Sequence, residues 1–477
     1  MTPSILILIP LFVIMAVNLS MRHTGKKLAF YLALALFAAQ MILAIFHHRF
    51  FLASETAGVD RFFRVDLSID NLGVVALVCM GIVSISSLFV SRYMPLDESE
   101  RFKFTNLLVI MSIGMCGVVM ARDIFSLYVF LEIAAITSFI LIAFKKDIYG
   151  LEGAFKYLML SAIATVFMLL SIAAILLVSK DTSFASISEA LKVSGKHPII
   201  IAAISVFLCG LFIKGGIFPF HGWLPDAYAS SPAPVSILLA GIVTKVAGVY
   251  TIMRVMILFG SNASINNVLL LVGTLSILIG AFAALGQDNF KRMLAYSSIS
   301  QIGYIVVGIG AGTPLGMAAA IFHFFNHAIF KSLLFVNSAA LEKETGTTSM
   351  SKMGGLAERM PITGTTSVIG ILSAAGIPPL AGFWSKLLII VALWQAGRYA
   401  YSAIAIFAGV VTLGYLLTMQ RKVFFGKLSA GLDKVKEAGF GIVMPSVVLA
   451  SIVVLTGLLF PFILQSFVIP VKEMLAH

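Results

Sequence analysis

Apolar segments long enough to cross a bilayer follow one another along almost the whole chain. Fourteen can be marked, at about 3–21, 28–46, 72–91, 104–121, 124–144, 157–179, 198–221, 234–258, 266–286, 294–312, 315–341, 361–390, 400–420 and 444–468. A helix needs about 20 apolar residues to span the hydrocarbon core, and each run is close to that length. The fold class is therefore an all-α polytopic membrane protein of about fourteen transmembrane helices. Of the 477 residues, 60% are hydrophobic and 11% charged, where an ordinary soluble domain is nearer about 25% charged. Soluble classes are excluded.

The net charge of +12 invites a nucleic-acid partner until the cations are placed. If connections alternate sides, the 33 Lys and Arg divide into 19 after odd-numbered runs, 10 after even-numbered ones, with Arg254 near the end of run 8 counted among these, and four inside runs, Lys214, Lys245, Lys331 and Lys386. By the positive-inside rule this bias puts both termini on the non-cytoplasmic side of a cell inner membrane. The positive charge is then topological, and no basic cluster points to nucleic acid. Cys79, Cys116 and Cys209 lie far apart in apolar runs with no CxxC, which leaves disulfide, iron–sulfur and haem readings without a basis. The first run has no basic leader or small-residue cleavage site and is expected to stay as a span.

Two stretches 160 residues apart share a skeleton: "GIFPFHGW" (216–223) and "GIPPLAGF" (376–383). Gly215 just before the first, Gly216 and Pro219 within it, and Pro378 and Pro379 in the second interrupt the i→i−4 ladder, so runs 7 and 12 read as broken helices. "AFKY" (154–157) and "IFHF" (321–324) are a weaker echo before each break. Runs 4–8 and 9–13 then form two five-helix repeats, and five being odd, they are inverted. Ion sites in such transporters lie at interrupted helices near the midplane. The expected segments are 1–103, 104–258, 266–424 and 425–477: three N-terminal spans, two repeats, then a loop with the last span.

Five charges recur at membrane depth: Glu132, Lys214, Lys245, Lys331 and Lys386. A charge at the bilayer centre costs at least about 2.5–3.5 kcal/mol and needs a partner or a wet cavity. Glu132 with one lysine suits either a proton switch or a static pair fixing helix register. Lys386 suits either a relay or a side chain snorkelling from a helix end; Lys331, placed near the end of its run, suits a relay or a structural role. Lys245 is flanked by apolar residues and is hardest to explain structurally. Four lysines cannot all pair with one glutamate. His323 and His327 share a helix face that Lys331 continues. Their spacing also suits zinc, but the HExxH of a metalloprotease is absent, so a proton-carrying stripe or a hydrogen-bonded core is preferred and no metal is expected. No nucleophile set is visible.

"FPFHGWLPDAYASSPAPVSILLAGIVTKVAGVY", "FLEIAAITSF", "DNFKRMLAYSSISQIGY", "HFFNHAIFKSLLF" and "GIPPLAGFWSKLLII" resemble the signature blocks of one family. It is the antiporter-like membrane subunits shared by respiratory complex I, membrane-bound energy-converting hydrogenases and Mrp-type cation/proton antiporters. The resemblance covers residues from about 70 to 425. It implies fourteen spans with two inverted five-helix repeats and broken helices 7 and 12. It also implies a proton relay in which Glu132 pairs with Lys214, Lys245 is the central lysine, His323, His327 and Lys331 connect, and Lys386 ends the path on the exit side. The chain runs only a short way beyond the last span, so the largest complex I subunit, with its lateral-helix extension, is disfavoured. Expected partners are other membrane subunits, a peripheral redox arm, the lipid bilayer and protons, with Na⁺ as a second candidate ion; no cofactor is expected on this chain. The function expected is a redox-driven pump subunit, itself without a redox centre. The rivals are a Mrp-type Na⁺/H⁺ antiporter subunit and a non-transporting membrane scaffold.

Overall fold

A computed structural model describes residues 2–20, 25–51, 60–62, 65–194, 198–260 and 262–469. Arg22, Arg64, Lys196 and Lys472 of the charge count lie outside them. Described residues up to 260 form α1 (Ile5–Ser20), α2 (Gly25–Phe51), the strands β1 (Asp60–Phe62) and β2 (Val65–Leu67), α3 (Asn71–Ser91), α4 (Glu98–Met120), α5 (Ile124–Ile142), α6 (Ile148–Ser179), α7 (Phe184–Ser194), α8 (Pro198–Gly215), α9 (Trp223–Ser230), α10 (Ala233–Leu238) and α11 (Thr251–Phe259). They continue as α12 (Ala263–Leu285), α13 (Phe290–Gly310), α14 (Pro314–Thr345), α15 (Pro361–Ala375), α16 (Ala381–Gln395), α17 (Tyr399–Phe424), α18 (Phe440–Leu458) and α19 (Phe460–Ile463). Among the described residues, twelve helices are long and apolar enough to cross a membrane, with Ala233–Phe259 counted as one. Three shorter apolar helices, Ile5–Leu19, Pro361–Ala375 and Ala381–Gln395, accompany them. The fold is all-α and multi-pass.

Helix starts follow from short polar residues just ahead of apolar runs. Asp70, Asp123, Asp147 and Asn289 each accept an amide hydrogen from the first turn that follows. Asp97 and Glu100 close a reciprocal capping box on α4. Both expected breaks are present. α8 stops at Gly215, and Gly216 takes φ +63°; α15 stops at Ala375, and Gly376 takes φ +87°. That left-handed backbone suits glycine, having no Cβ. The peptides Phe218–Pro219 and Pro378–Pro379 are both cis.

Three features were not foreseen. β1 and β2 form an antiparallel ribbon, and α7 occupies the connection after α6. The segment joining α10 to α11 is wound as π-helix over Leu239–Val243 and Lys245–Tyr250. π-Turns inside α-helices concentrate at functional sites.

The chain divides into two compact units, Met1–Gly215 with Ile242–Gly260, and Gly216–Gly241 with Ser261–His477. In the first, α6 packs on α8 and α4 on α5. The end of α8 lies so close to the π-turn that a Cβ on Gly248 would collide with the backbone of Gly215. In the second, α12 packs on α13, and α14 sits against α13, α15, α16 and α18. A core of Leu270, Ile277, Tyr304, Val307, Ile389 and Leu393 fills its centre.

Candidate functional site

In the first unit, Glu132 stands midway along α5, and Lys214 lies in the last turn of α8. The Lys214 ammonium donates to Glu132 Oε1 at 2.9 Å and to Ser161 Oγ at 3.1 Å. Thr165 on α6 donates its hydroxyl to the same Glu132 oxygen at 2.9 Å. The pair is asymmetric: the Lys214 side chain is fully buried, while Glu132 is 25% exposed. The apolar side chains a turn to either side of the acid, Val129 and Ile136, face outward with it.

Lys245 opens the second π-turn and is fully buried; its ammonium has no hydrogen-bond partner among the described residues. The Gly215–Gly248 contact sets the helix of Lys245 directly against that of Lys214. Without side chains at those two positions the backbones approach closely, as small residues permit in membrane helices.

In the second unit, His323 and His327 stack on one face of α14, ring centroids 6.1 Å apart and 16° from parallel. Lys331, one turn on, is fully buried and donates to Ser297 Oγ at 2.7 Å and to the Leu294 carbonyl at 3.2 Å. Tyr415 donates to the same Ser297 at 2.8 Å. At the other end, His323 Nδ1 lies 2.8 Å from Ser385 Oγ, and its ring is 6.0 Å from that of Tyr304. Lys386 sits 4.5 Å over the Tyr304 ring and donates to the carbonyl of Ala374 at 2.7 Å. That carbonyl is one that the break after α15 leaves without an intrahelical donor, so the lysine satisfies the interruption. Lys386 is buried rather than snorkelling, and a cavity of about 210 Å³ lies against it beside Gly376 and Gly409.

The sequence-predicted residues thus fall into two groups. Glu132 and Lys214 are brought together, with Lys245 on the adjoining helix. His323 and His327 are brought together, Lys331 continues their face in the middle of α14, and Lys386 comes near His323 through Tyr304 and Ser385. Gly215, Gly216 and Pro219 form the first break, and Pro378 and Pro379 lie in the second. Among the described residues, no three His, Cys, Asp or Glu side chains gather as a metal ligand set.

Several polar groups were missed. Gln301 on α13 is fully buried, and neither amide atom has a hydrogen-bond partner. It lies one turn from Ser297 and from Tyr304, on the face that serves Lys331 and Lys386. Arg254, counted from sequence among loop cations, is buried in α11, paired with Asp70 and with the Tyr250 hydroxyl. Arg122 also reaches Asp70, at 3.3 Å. Lys291, likewise taken as a loop cation, is buried and bonded to Glu342 at 3.2 Å and the Ser231 carbonyl at 2.9 Å.

Residues 121–412 match the family described as NADH:quinone oxidoreductase/Mrp antiporter, TM. The chain belongs to this NADH:quinone oxidoreductase/Mrp antiporter family. It is 30% identical to the D subunit of the Na(+)/H(+) antiporter of Alkalihalophilus pseudofirmus, over 83% of this chain and 80% of that one. It is 31% identical to the N subunit of the NADH-quinone oxidoreductase of Desulforudis audaxviator, over 87% of this chain and 84% of that one. Among solved structures, a chain of the Mrp complex from Dietzia sp. DQ12-45-1b superposes with TM-score 0.89 at 23% identity, covering 99% of this chain and 97% of its own. A chain of the membrane-bound sulfane sulfur reductase, an archaeal respiratory membrane complex, gives 0.87 at 26% identity with the same coverage. This family member is an antiporter-like, multi-pass membrane subunit, and the relatives that share its fold are subunits of multisubunit complexes.

Proposed function

We propose that the chain moves protons across the membrane as one subunit of a complex I-like or energy-converting-hydrogenase-like redox-driven pump. The observation that carries this reading is the Glu132–Lys214 pair midway along α5, set beside a buried Lys245 with no hydrogen-bond partner among the described residues. Two unit charges about 4 Å apart interact by ~4 kcal/mol at an effective dielectric of ~20, enough to drive one proton-transfer step. While the pair is closed, Lys214 keeps its proton and disfavours a second charge on Lys245. When a neighbouring subunit pulls Glu132 away, Lys214 gives its proton inward. Lys245, His323, His327 and Lys331 carry the charge, and Lys386 releases it. The exposed flank of Glu132 supports a neighbouring membrane subunit as partner, and a peripheral redox arm belongs to this reading.

The same geometry supports a second reading, a Mrp-type subunit in which proton flow drives Na⁺ exit without a redox arm. It is favoured by the stretch "LPDAYASSPAPVSILLAGIVTKV" and by the Na(+)/H(+) antiporter relative. In both, α1 and the α15–α16 pair complete fourteen spans. The matching breaks, and the corresponding bridges Asp123–Ser183 and Asn289–Ser349, support two inverted repeats within 104–258 and 266–424, flanked by 1–103 and 425–477. The cation bias supports both termini on the outer side of a cell inner membrane.

The test is proton movement by the assembled complex in sealed vesicles. Acidification on adding an electron donor, without Na⁺, fits the pump; acidification that needs a Na⁺ gradient and no donor fits the antiporter. Unchanged movement in assembled Lys214→Ala and Lys245→Ala complexes would leave only a scaffold.

A further inference from the structure

Beyond the relay, the first unit carries a surface groove of about 800 Å³ between the start of α4, the end of α5 and the start of α6. Its walls are apolar, from Leu107, Ile140, Phe144 and Leu151, and its mouth holds two ammonium groups, Lys103 and Lys146. Both lysines are exposed and form no ion pair among the described residues, whereas Lys156 nearby is tied to Glu152 at 2.6 Å. The acid of the groove, Glu100, is committed elsewhere: its Oε2 accepts the Asp97 amide at 3.1 Å in the cap of α4. The groove thus joins an apolar wall to two cations and one acid, an excess of one positive charge at the end of a membrane helix. A comparable groove of about 590 Å³, between α15 and α18, has no charged side chain on its wall. Nothing there selects an occupant.

We propose that the α4–α5–α6 groove binds one anionic glycerophospholipid of the surrounding membrane. An acyl chain lies along Leu107, Ile140 and Leu151, and the phosphate sits between Lys103 and Lys146. Basic pockets between membrane helices recognise lipid headgroups in this way. Two cations against the single acid Glu100, itself engaged with the Asp97 amide, favour an anionic headgroup over a zwitterionic one, whose own amine they repel. The site does not depend on which ion the relay carries.

The test uses the assembled complex in nanodiscs of phosphatidylethanolamine and phosphatidylglycerol, released for native mass spectrometry. Wild type retains one phosphatidylglycerol more than the Lys103→Gln/Lys146→Gln complex. Each lost cation weakens retention about fivefold, so the double variant falls by more than about tenfold. Leu107→Trp fills the groove with both charges kept and expels the same lipid. Unchanged phosphatidylglycerol in both variants overturns the proposal, as does equal retention of phosphatidylethanolamine at the site. A partner subunit cross-linking into the groove of the wild-type complex, with no lipid released, also overturns it.

Discussion

Lys245→Met separates a functional lysine from a structural one. The wild-type ammonium is fully buried with no hydrogen-bond partner. A charged side chain at a helix centre in the membrane costs about 2.5–3.5 kcal/mol. A buried neutral amine left unsatisfied still costs about 1–3 kcal/mol. Methionine has similar length and no polar atom to satisfy, and repacking around a volume-conserving change costs under about 1.5 kcal/mol. The expected net effect is a complex more stable by roughly 1–2 kcal/mol, with proton movement abolished. Lys245→Arg gives the opposite on one axis: a permanently charged, bulkier group, so less stable and equally inactive. The assay pairs acidification of sealed vesicles with the half-time of thermal disassembly of the same preparation. A Met variant that assembles and moves protons at the wild-type rate refutes the relay role, and one that disassembles faster than wild type refutes the claim that the site is unpaired.

Other outcomes follow from the same structure. Glu132→Gln leaves fully buried Lys214 without its counter-ion and costs up to about 3–5 kcal/mol, as for one half of a buried pair; Lys214→Met leaves a one-quarter-exposed acid and costs less, an ordering that thermal disassembly of the two complexes checks. Gly248→Ala drives a methyl into the Gly215 backbone and costs roughly 1–3 kcal/mol by overpacking, read as faster disassembly. Gln301→Leu removes an unsatisfied buried amide, so stability holds or rises while proton movement slows severalfold in vesicles. The Ser349 and Ser351 hydroxyls hold Asp288 below its usual value of 3.8. Because folding favours the charged form, this loop tie is present above that value and lost as pH falls below it. Asp288→Asn removes the pH dependence, seen in hydrogen exchange at residues 349–351.

The fold was legible because a bilayer turns hydrophobicity into length, and each run had to be a helix. The breaks were legible because Gly215, Gly216, Pro219, Pro378 and Pro379 are chemically unsuited to a helix interior. Lys331 was misjudged in depth: α14 runs to Thr345, beyond the apolar stretch, so a lysine placed near the end of its run sits well inside the helix. The Asp70–Arg254 pair joins residues 184 apart in sequence, a distance that periodicity cannot bridge. Gln301 drew no notice because one amide in "SSISQIGY" looks like helix surface; only packing reveals the burial on every side. The π-turn at Lys245–Tyr250 has no proline or glycine pair to announce it, and lies where this helix packs against α4 and α8.

The uneven cover on the Glu132–Lys214 pair also bears on the life of the chain before assembly. A carboxylate one-quarter exposed at the middle of a span is a polar flaw on an otherwise lipid-compatible face. On the reading proposed above a neighbouring subunit covers that face, and a chain synthesised in excess of it displays the flaw to hydrocarbon. Glu132 thereby marks the orphan: turnover of the lone chain should slow in Glu132→Leu, and co-expression with the covering subunit should slow it equally for wild type.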